Sequence, residues 1–507
     1  MRALLFLGAF CLSGQAMAQS PCSPDPTASR PPCTENRTIP ADALNRATGI
    51  GNACANIMFY GAVADGVTDN SAAWSAALAQ STGHPCIYFP AGTYAFASGI
   101  SATLSTNGQV LSIYGDGPDT TTLSWAGGGG LTIIETAAQV AIHVRDLALL
   151  TGAVNTGIAL NVEHGAFHNN NIASNTVDRV RVSGTTIGAN YWAIGIKFNG
   201  VSQVNFNSLD LWGQTIGGGA GSRGIGLDLE APPTNLSFIY NITNSNFFGG
   251  QNGLKYGSNV QGVTVANCNF TLNYIGIYVP TGSINQAQLS VSNSQFDNGG
   301  DNILFDTGTT LSHVQIDNNL FFLVANTAGI HFKGLGQYAM LRGNEFITTS
   351  AALITAQGIA IDANPVGQNI ASDNLCVLLS NCITLGFHSN NWRVSNTRVD
   401  RVTAPVTNAG SNNIITGFIN PTHFATTYPQ GFAVTGVADN GSGAIRLALS
   451  DSPGLINGEI VMVLGIDGVA TANGLFAITV IDGTHVDLVH SAFAGSYTSG
   501  GTLWVMP

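Results

Sequence analysis

The chain has 507 residues, 62 glycines, 9% charged residues and a formal net charge of −12. Charge this sparse, with 45% hydrophobic residues, excludes intrinsic disorder, which needs low hydrophobicity and high charge density. The acidic balance excludes general nucleic-acid binding, which depends on clustered Lys and Arg neutralising phosphates; an acidic polymer would need a locally basic site.

In chain order, residues 1–18 carry a basic Arg2, an apolar stretch from Ala3 to Leu12 and the small-residue end Ala16-Met17-Ala18, the pattern of a cleaved secretory signal. No later segment offers about 18 uninterrupted apolar residues, so the expectation is an exported chain without a membrane span. Residues 19–50, rich in Pro, Ser and Thr, read as a leader or tether. Seven cysteines remain once Cys11 leaves with the signal. Export permits disulfides, and the economical local pairs are Cys22/Cys33, Cys54/Cys86 and Cys376/Cys382, with Cys268 a buried thiol. The absence of CxxC and of Cys/His clusters argues against zinc.

From Asn56 to Trp74, Asp65-Gly66 marks a turn, and Asp69 or Ser71 caps a short helix whose expected apolar face is Ala72, Trp74, Ala76 and Leu78. Two short strands flank Pro90-Ala91-Gly92. From about residue 140 the chain repeats. One pattern is apolar-x-apolar-x-Asn-x-x-apolar: Val263, Val265, Asn267, Phe270; Leu289, Val291, Asn293, Phe296; Val314, Ile316, Asn318, Phe321. Asp146, Ser208 and Asn244 take the Asn position earlier, and Gly343, Asn374 and Asn396 later. The second is Gly-apolar-x-apolar, as in Gly195-Ile196-Lys197-Phe198 and Gly253-Leu254-Lys255-Tyr256. A period near 25 residues built of short strands indicates a solenoid: a parallel β-helix with rungs about 4.8 Å apart and an internal ladder at the recurrent Asn.

The segment Phe59 to Trp74, followed by Tyr88-Phe89-Pro90-Ala91-Gly92-Thr93-Tyr94, resembles the N-terminal signature of the pectate-lyase superfamily, in the branch shared by rhamnogalacturonases, epimerases and phage tailspikes. With the repeats, the resemblance covers roughly residues 52–420. It implies an all-β chain: a right-handed parallel β-helix over 51–425 with a short N-terminal capping helix. Residues 431–507 alternate apolar strands with Asn-Gly and Asp-Gly turns, the mark of a small antiparallel β-domain. This module resembles one that recurs in phage tail and bacterial surface proteins.

Period-two alternation points one residue of each second-pattern strand outward. That column reads Ala159, Lys197, Asp228, Lys255, Tyr278, Leu304, His331 and Ala360; its neighbour reads Asn161, Asn199, Glu230, Gly257, Pro280, Asp306, Lys333 and Asp362. All three lysines of the chain fall in these columns. The bland reading is an ion-pair ladder, which adds little stability. The functional reading is a face for an acidic glycan. Elimination on a uronic-acid polymer needs carboxylate neutralisation, a base and an acid: Lys197 and Lys255 divide the first two tasks if one is neutral, with Asp228 between them, and Tyr278 is the proton donor. Glu230, Asp306, His331 and Lys333 are the expected substrate contacts. Hydrolysis instead needs two carboxyls, with Asp228 and Glu230 the nearest pair. The polygalacturonase catalytic set is absent.

Many pectate lyases use calcium, so the resemblance carries a Ca2+ option at Asp228 and Glu230; no calcium-binding repeat accompanies it. Glu163, His164 and His168 offer metal-ligand types in what reads as an irregular loop. Tyr191, Trp192, Trp212 and Tyr278 are aromatic candidates for stacking on sugars or for the core. The expectation is a secreted polysaccharide-active protein, foremost a lyase on an acidic glycan, with a glycoside hydrolase or a non-catalytic glycan-binding protein as alternatives. A tailspike-like homotrimer is a further expectation.

Overall fold

The computed structural model describes residues 54–507 apart from 81–84, 166–173, 215–223, 349, 351–352, 364–366, 420–430, 451–454 and 506–507. The expected signal, the leader, the Cys22/Cys33 pair and His168 lie outside the described residues. Among those described, strands wind into a parallel β-helix. A 12-stranded sheet runs from Ile100–Leu104 to Ala404–Asn408 and a bent 24-stranded sheet supplies the other walls.

Each coil is built alike. The strand Val260–Ala266 turns a corner into Asn269–Thr271, a short loop leads to Ile275–Val279 in the 12-stranded sheet, and a second loop reaches Ala287–Ser292 one rung on. The corner is made by one residue in the left-handed region. Asp146, Arg179, Ser208, Asn244, Asn267, Asn293, Asn318, Gly343, Asp373, Asn396 and Gly417 hold it in eleven successive coils, with φ between 49° and 66°. Asn, Asp and Gly tolerate that region best. The repeated Asn is therefore the exposed corner, not the internal ladder.

The ladder sits one residue later, at Ser245, Cys268, Ser294, Asn319, Asn344 and Asn374, all buried. Each accepts the backbone N–H of the rung before it: Cys268 N donates to Ser294 Oγ at 3.1 Å, Ser294 N to Asn319 Oδ1 at 3.0 Å, Asn319 N to Asn344 Oδ1 at 3.1 Å and Asn344 N to Asn374 Oδ1 at 3.0 Å. Asn374 thus belongs to the ladder, and the corner of its coil is Asp373. Cys268 is a free buried thiol within the same column.

The two repeats interlock in the core. Phe247, Phe270, Phe296, Phe321 and Phe346 stack with centroids 4.5–4.9 Å apart. The glycines of the second pattern make room for them: a Cβ on Gly253 would lie 2.7 Å from Phe270, and one on Gly329 2.5 Å from Phe346.

At the N-terminal end the helix Ser71–Gln80 buries Ala73, Trp74 and Ala77. Of the expected face, Trp74 is buried and Leu78 is half-buried against the core, whereas Ala72 and Ala76 are exposed. Asp69 accepts the Ser71 N–H as expected, and Trp74 Nε1 donates to Ser101 O. The Cys54–Cys86 and Cys376–Cys382 disulfides both form.

Residues 431–505 form a closed antiparallel barrel of six strands, in the order Gly431–Asp439, Ile445–Leu449, His485–Leu488, Gly474–Val480, Ile460–Leu464 and Thr502–Val505. Among the described residues no helix is long and apolar enough to cross a membrane.

Candidate functional site

The outer face of the 12-stranded sheet carries the charged column. Register pairs Lys197 with Asp228, Asp228 with Lys255, Lys255 with Tyr278, Tyr278 with Leu304, Leu304 with His331 and His331 with Ala360. The first member is wrong by two residues: Asn161, not Ala159, stands beside Lys197, and Ala159 is fully buried. The neighbouring column shifts likewise, Glu163 standing beside Asn199. Outward direction also does not mean exposure, since Asp228 (1% exposed), Leu304 and Ala360 are buried.

Asp228 lies beneath Lys255, whose Nζ is 3.1 Å from both Asp228 carboxylate oxygens and 3.3 Å from Glu230 Oε2. Lys197 Nζ pairs with the other Glu230 oxygen at 2.7 Å. Glu230 is thus bridged by two ammoniums from coils on either side, and Lys197 pairs with it rather than with its register neighbour Asp228. Burial pushes the Asp228 carboxyl above its ordinary pKa, the Lys255 ammonium offsetting only part of the rise. Burial also acts to raise Glu230, but Lys197 and Lys255 outweigh it and hold that carboxyl low. Burial acts to lower Lys255; Asp228 and Glu230 outweigh it, so its pKa is raised and it stays a cation. Lys255 is therefore not the neutral base that the sequence reading required.

A second cluster follows. The Tyr278 hydroxyl donates to Asp306 Oδ2 at 3.0 Å, and Asp306 also accepts from Thr281 Oγ1 and the Thr307 N–H. Burial, then the Asp306 carboxylate, raises the Tyr278 pKa. Burial acts to raise Asp306, but these donors and the exposed Lys333 bring it below its ordinary value. His331 is clamped, Nδ1 2.7 Å from Asp301 and Nε2 3.0 Å from Asp362. Asp301 lies outside both repeat patterns and was missed; its only sequence signal is its place two residues before Ile303.

Among the described residues the metal-ligand options fail on geometry. Both carboxylates of the Asp228/Glu230 pair are occupied by ammoniums, so the residues present do not fit calcium, and the described residues hold no group of three or more His, Cys, Asp or Glu placed to bind a metal. Glu163 and His164 are not in a loop but in the strand Val154–His164. They point to opposite faces: Glu163 accepts from Asn161, and buried His164 has Nε2 3.0 Å from Ala137 O. Of the aromatic candidates, Tyr191 and Trp192 are core residues. Trp212 is half-buried against Phe248 at 4.5 Å, and Tyr278 half-buried on the charged face.

Comparison with solved structures finds β-helical proteins of low identity. The tailspike gp61 of Pseudomonas phage phi297 is 12% identical, covers 90% of this chain and 99% of its own, and gives a TM-score of 0.43. The A-module of a mannuronan C-5 epimerase from Azotobacter vinelandii is 14% identical over 72% of this chain and 98% of its own, with a TM-score of 0.35. PfbA, a surface adhesin of Streptococcus pneumoniae, is 14% identical over 69% and 91%, with a TM-score of 0.40. No protein of curated function matches by sequence. The family model for rhamnogalacturonase A/epimerase, pectate lyase-like proteins matches residues 54–304, the stretch that holds the N-terminal signature, the charged column through Tyr278 and the first half of the Phe stack. Over that stretch the chain belongs to the rhamnogalacturonase A/epimerase, pectate lyase-like family.

Proposed function

We propose that this polysaccharide-active chain binds an acidic, uronate-bearing glycan along the outer face of the 12-stranded sheet and cleaves it by β-elimination. The observation that carries this is the convergence of Lys197 and Lys255 on Glu230 from two coils, in a chain with three lysines in all. A substrate carboxylate competes with Glu230 for those ammoniums. As Glu230 loses an ion pair, burial becomes its dominant influence and its pKa rises, converting a weak base into one able to take the proton next to the uronate carboxyl. The electron pair left by that C–H bond forms the ring double bond as the glycosidic C–O bond breaks, and the Tyr278 hydroxyl, turned from Asp306 to the departing oxygen, protonates it. Lys197 and Lys255 neutralise the carboxylate throughout. Buried Asp228 touches no substrate: it is a positioning residue that holds Lys255. The same burial argues against Asp228 and Glu230 as a hydrolytic carboxyl pair.

The test is reducing-end release from polygalacturonate, alginate and other acidic polymers, read together with the ultraviolet absorbance of unsaturated uronate ends. Lys197→Ala and Lys255→Ala are expected to cut kcat by about 100-fold or more, the loss typical of removing one group that stabilises developing charge. Unchanged rates in both variants would sink the site. Reducing ends without new absorbance would mean hydrolysis. Binding without cleavage would mean a glycan-binding protein. The two disulfides support an oxidising, extracytoplasmic setting. A homotrimer is part of the proposal, and light scattering of the purified chain checks it.

A further inference from the structure

The barrel holds a site that the solenoid reading does not use. On its outer surface the strands Gly431–Asp439, Ile445–Leu449 and His485–Leu488 present two cross-strand rows, Gly436–Ala448–His485 and Ala438–Arg446–Asp487. Three of these six positions are Gly or Ala, residues depleted in strands. Their small side chains leave a trough where a solvent-facing sheet would ordinarily carry Thr, Val or Lys. The irregular segment that follows the last of these strands closes one side. Phe493 N–H donates to Gly443 O, and the Tyr497 hydroxyl donates to Val434 O and Gly500 O, so the segment is tied to the barrel at two points. Between trough and segment lies an open cavity of about 630 Å3 lined by the half-buried rings of Phe493 and Tyr497 and by Arg446 and His485, within the roughly 300–1,000 Å3 of small-ligand sites.

We propose that this cavity binds a neutral saccharide, one or more uncharged hexose units of a polysaccharide. The charges at its rim are already answered. Arg446 Nε and Nη2 donate to the two Asp487 oxygens at 2.6 and 2.9 Å, and His485 Nδ1 lies 2.9 Å from Asp482. Asp439 accepts the N–H groups of Gly441 and Gly443. An anionic group would find no uncommitted cation here and would face three carboxylates. A neutral hexose meets what the site has left: its C–H face packs on the rings of Phe493 and Tyr497, and its hydroxyls reach the guanidinium N–H groups that Asp487 does not use. The barrel is then a second, chemically different glycan site, independent of the lysine-bearing face.

Isothermal titration of the full chain with cellohexaose, mannohexaose and laminarihexaose tests this. At least one should bind, and Ala448→Trp, which fills the trough from the solvent side without touching the barrel core, should weaken that binding by at least about tenfold with the circular dichroism spectrum unchanged. Tyr497→Ala should do the same by removing a ring face. Failure of all three probes to bind overturns the proposal. So does an Ala448→Trp variant of undiminished affinity, and so does a polygalacturonate oligomer whose binding Ala448→Trp abolishes. Cleavage of acidic polymer is read in a separate assay, so this site and the solenoid site stand or fall apart.

Discussion

His331 shows what one residue gains from its column. With both ring nitrogens facing acceptor-only carboxylates, the imidazolium satisfies Asp301 and Asp362 together. Burial acts to lower its pKa, but the two hydrogen bonds and charges outweigh it and the net direction is upward from 6.5. A group with a raised folded pKa contributes stability that is fully present below its unfolded value and lost as pH rises through the folded one. The denaturation midpoint should therefore fall above pH 6.5 more steeply in the wild type than in His331→Gln; parallel profiles would contradict the clamp. The difference between the two proteins is the proper readout, because burial raises the Glu135 carboxyl to about 8 and gives both a falling profile between its ordinary 4.5 and that value. Asp301 was invisible in the sequence because alternation assigns a residue to one side of a strand and says nothing of what a loop residue from the coil before will reach. Asp228 was misjudged for a related reason: it points outward, but the Lys255 stem covers it.

At the scale of the coil, two neighbouring positions do opposite work. Asn293 meets a backbone demand, a left-handed corner, whereas Asn319 and Asn344 meet a hydrogen-bonding demand inside the core. Their substitutions should separate cleanly in chemical denaturation. Asn293→Gly should be nearly silent and Asn293→Val should cost about 1–2 kcal/mol. Asn344→Ala orphans the Asn319 N–H and the Ile316 carbonyl, at about 1–3 kcal/mol for each buried group left unsatisfied; equal effects of Asn293→Gly and Asn344→Ala would refute this division of labour. The repeat was legible because the Asn and Phe spacing is nearly constant from 244 to 321 and each Phe must meet the next. The ladder was placed one residue early because Ser294 and Cys268 share its column with Asn319, so no single residue type marks it. The first strand of the charged column slipped by two because Val154–His164 and Tyr191–Asn199 pair through an irregular register between Val154 and Thr156, which no residue type announces.

The whole solenoid is quasi-one-dimensional: each coil contacts only its neighbours, and stability is close to a sum of coil and interface terms. In such a stack the interior coils are held on both sides and the terminal ones on a single side. The disulfides sit where that matters. Cys54–Cys86 joins the first coil to the second, and Cys376–Cys382 spans the core near the other end. Reduction should speed amide hydrogen exchange over residues 54–104 and 375–408 and leave the Phe-stacked middle, 244–348, unchanged; acceleration of the middle first would mean that the stack does not open from its ends. The fold class, the repeat and the location of the charged face were all readable from the chain, since each is written many times over. The pairing of charges was not, because it is written once.

The bridge between the first two coils bears on the molecule as an object. A ladder of identical steps has no natural stopping point when it begins to peel, and each lost rung leaves the next as the new end. The covalent tie between the first two coils turns that process, at the N-terminal end, into one that must wait for a chemical event. The number of intact coils at that end then depends on the redox state of the surroundings, while the lysine-bearing coils lie away from it.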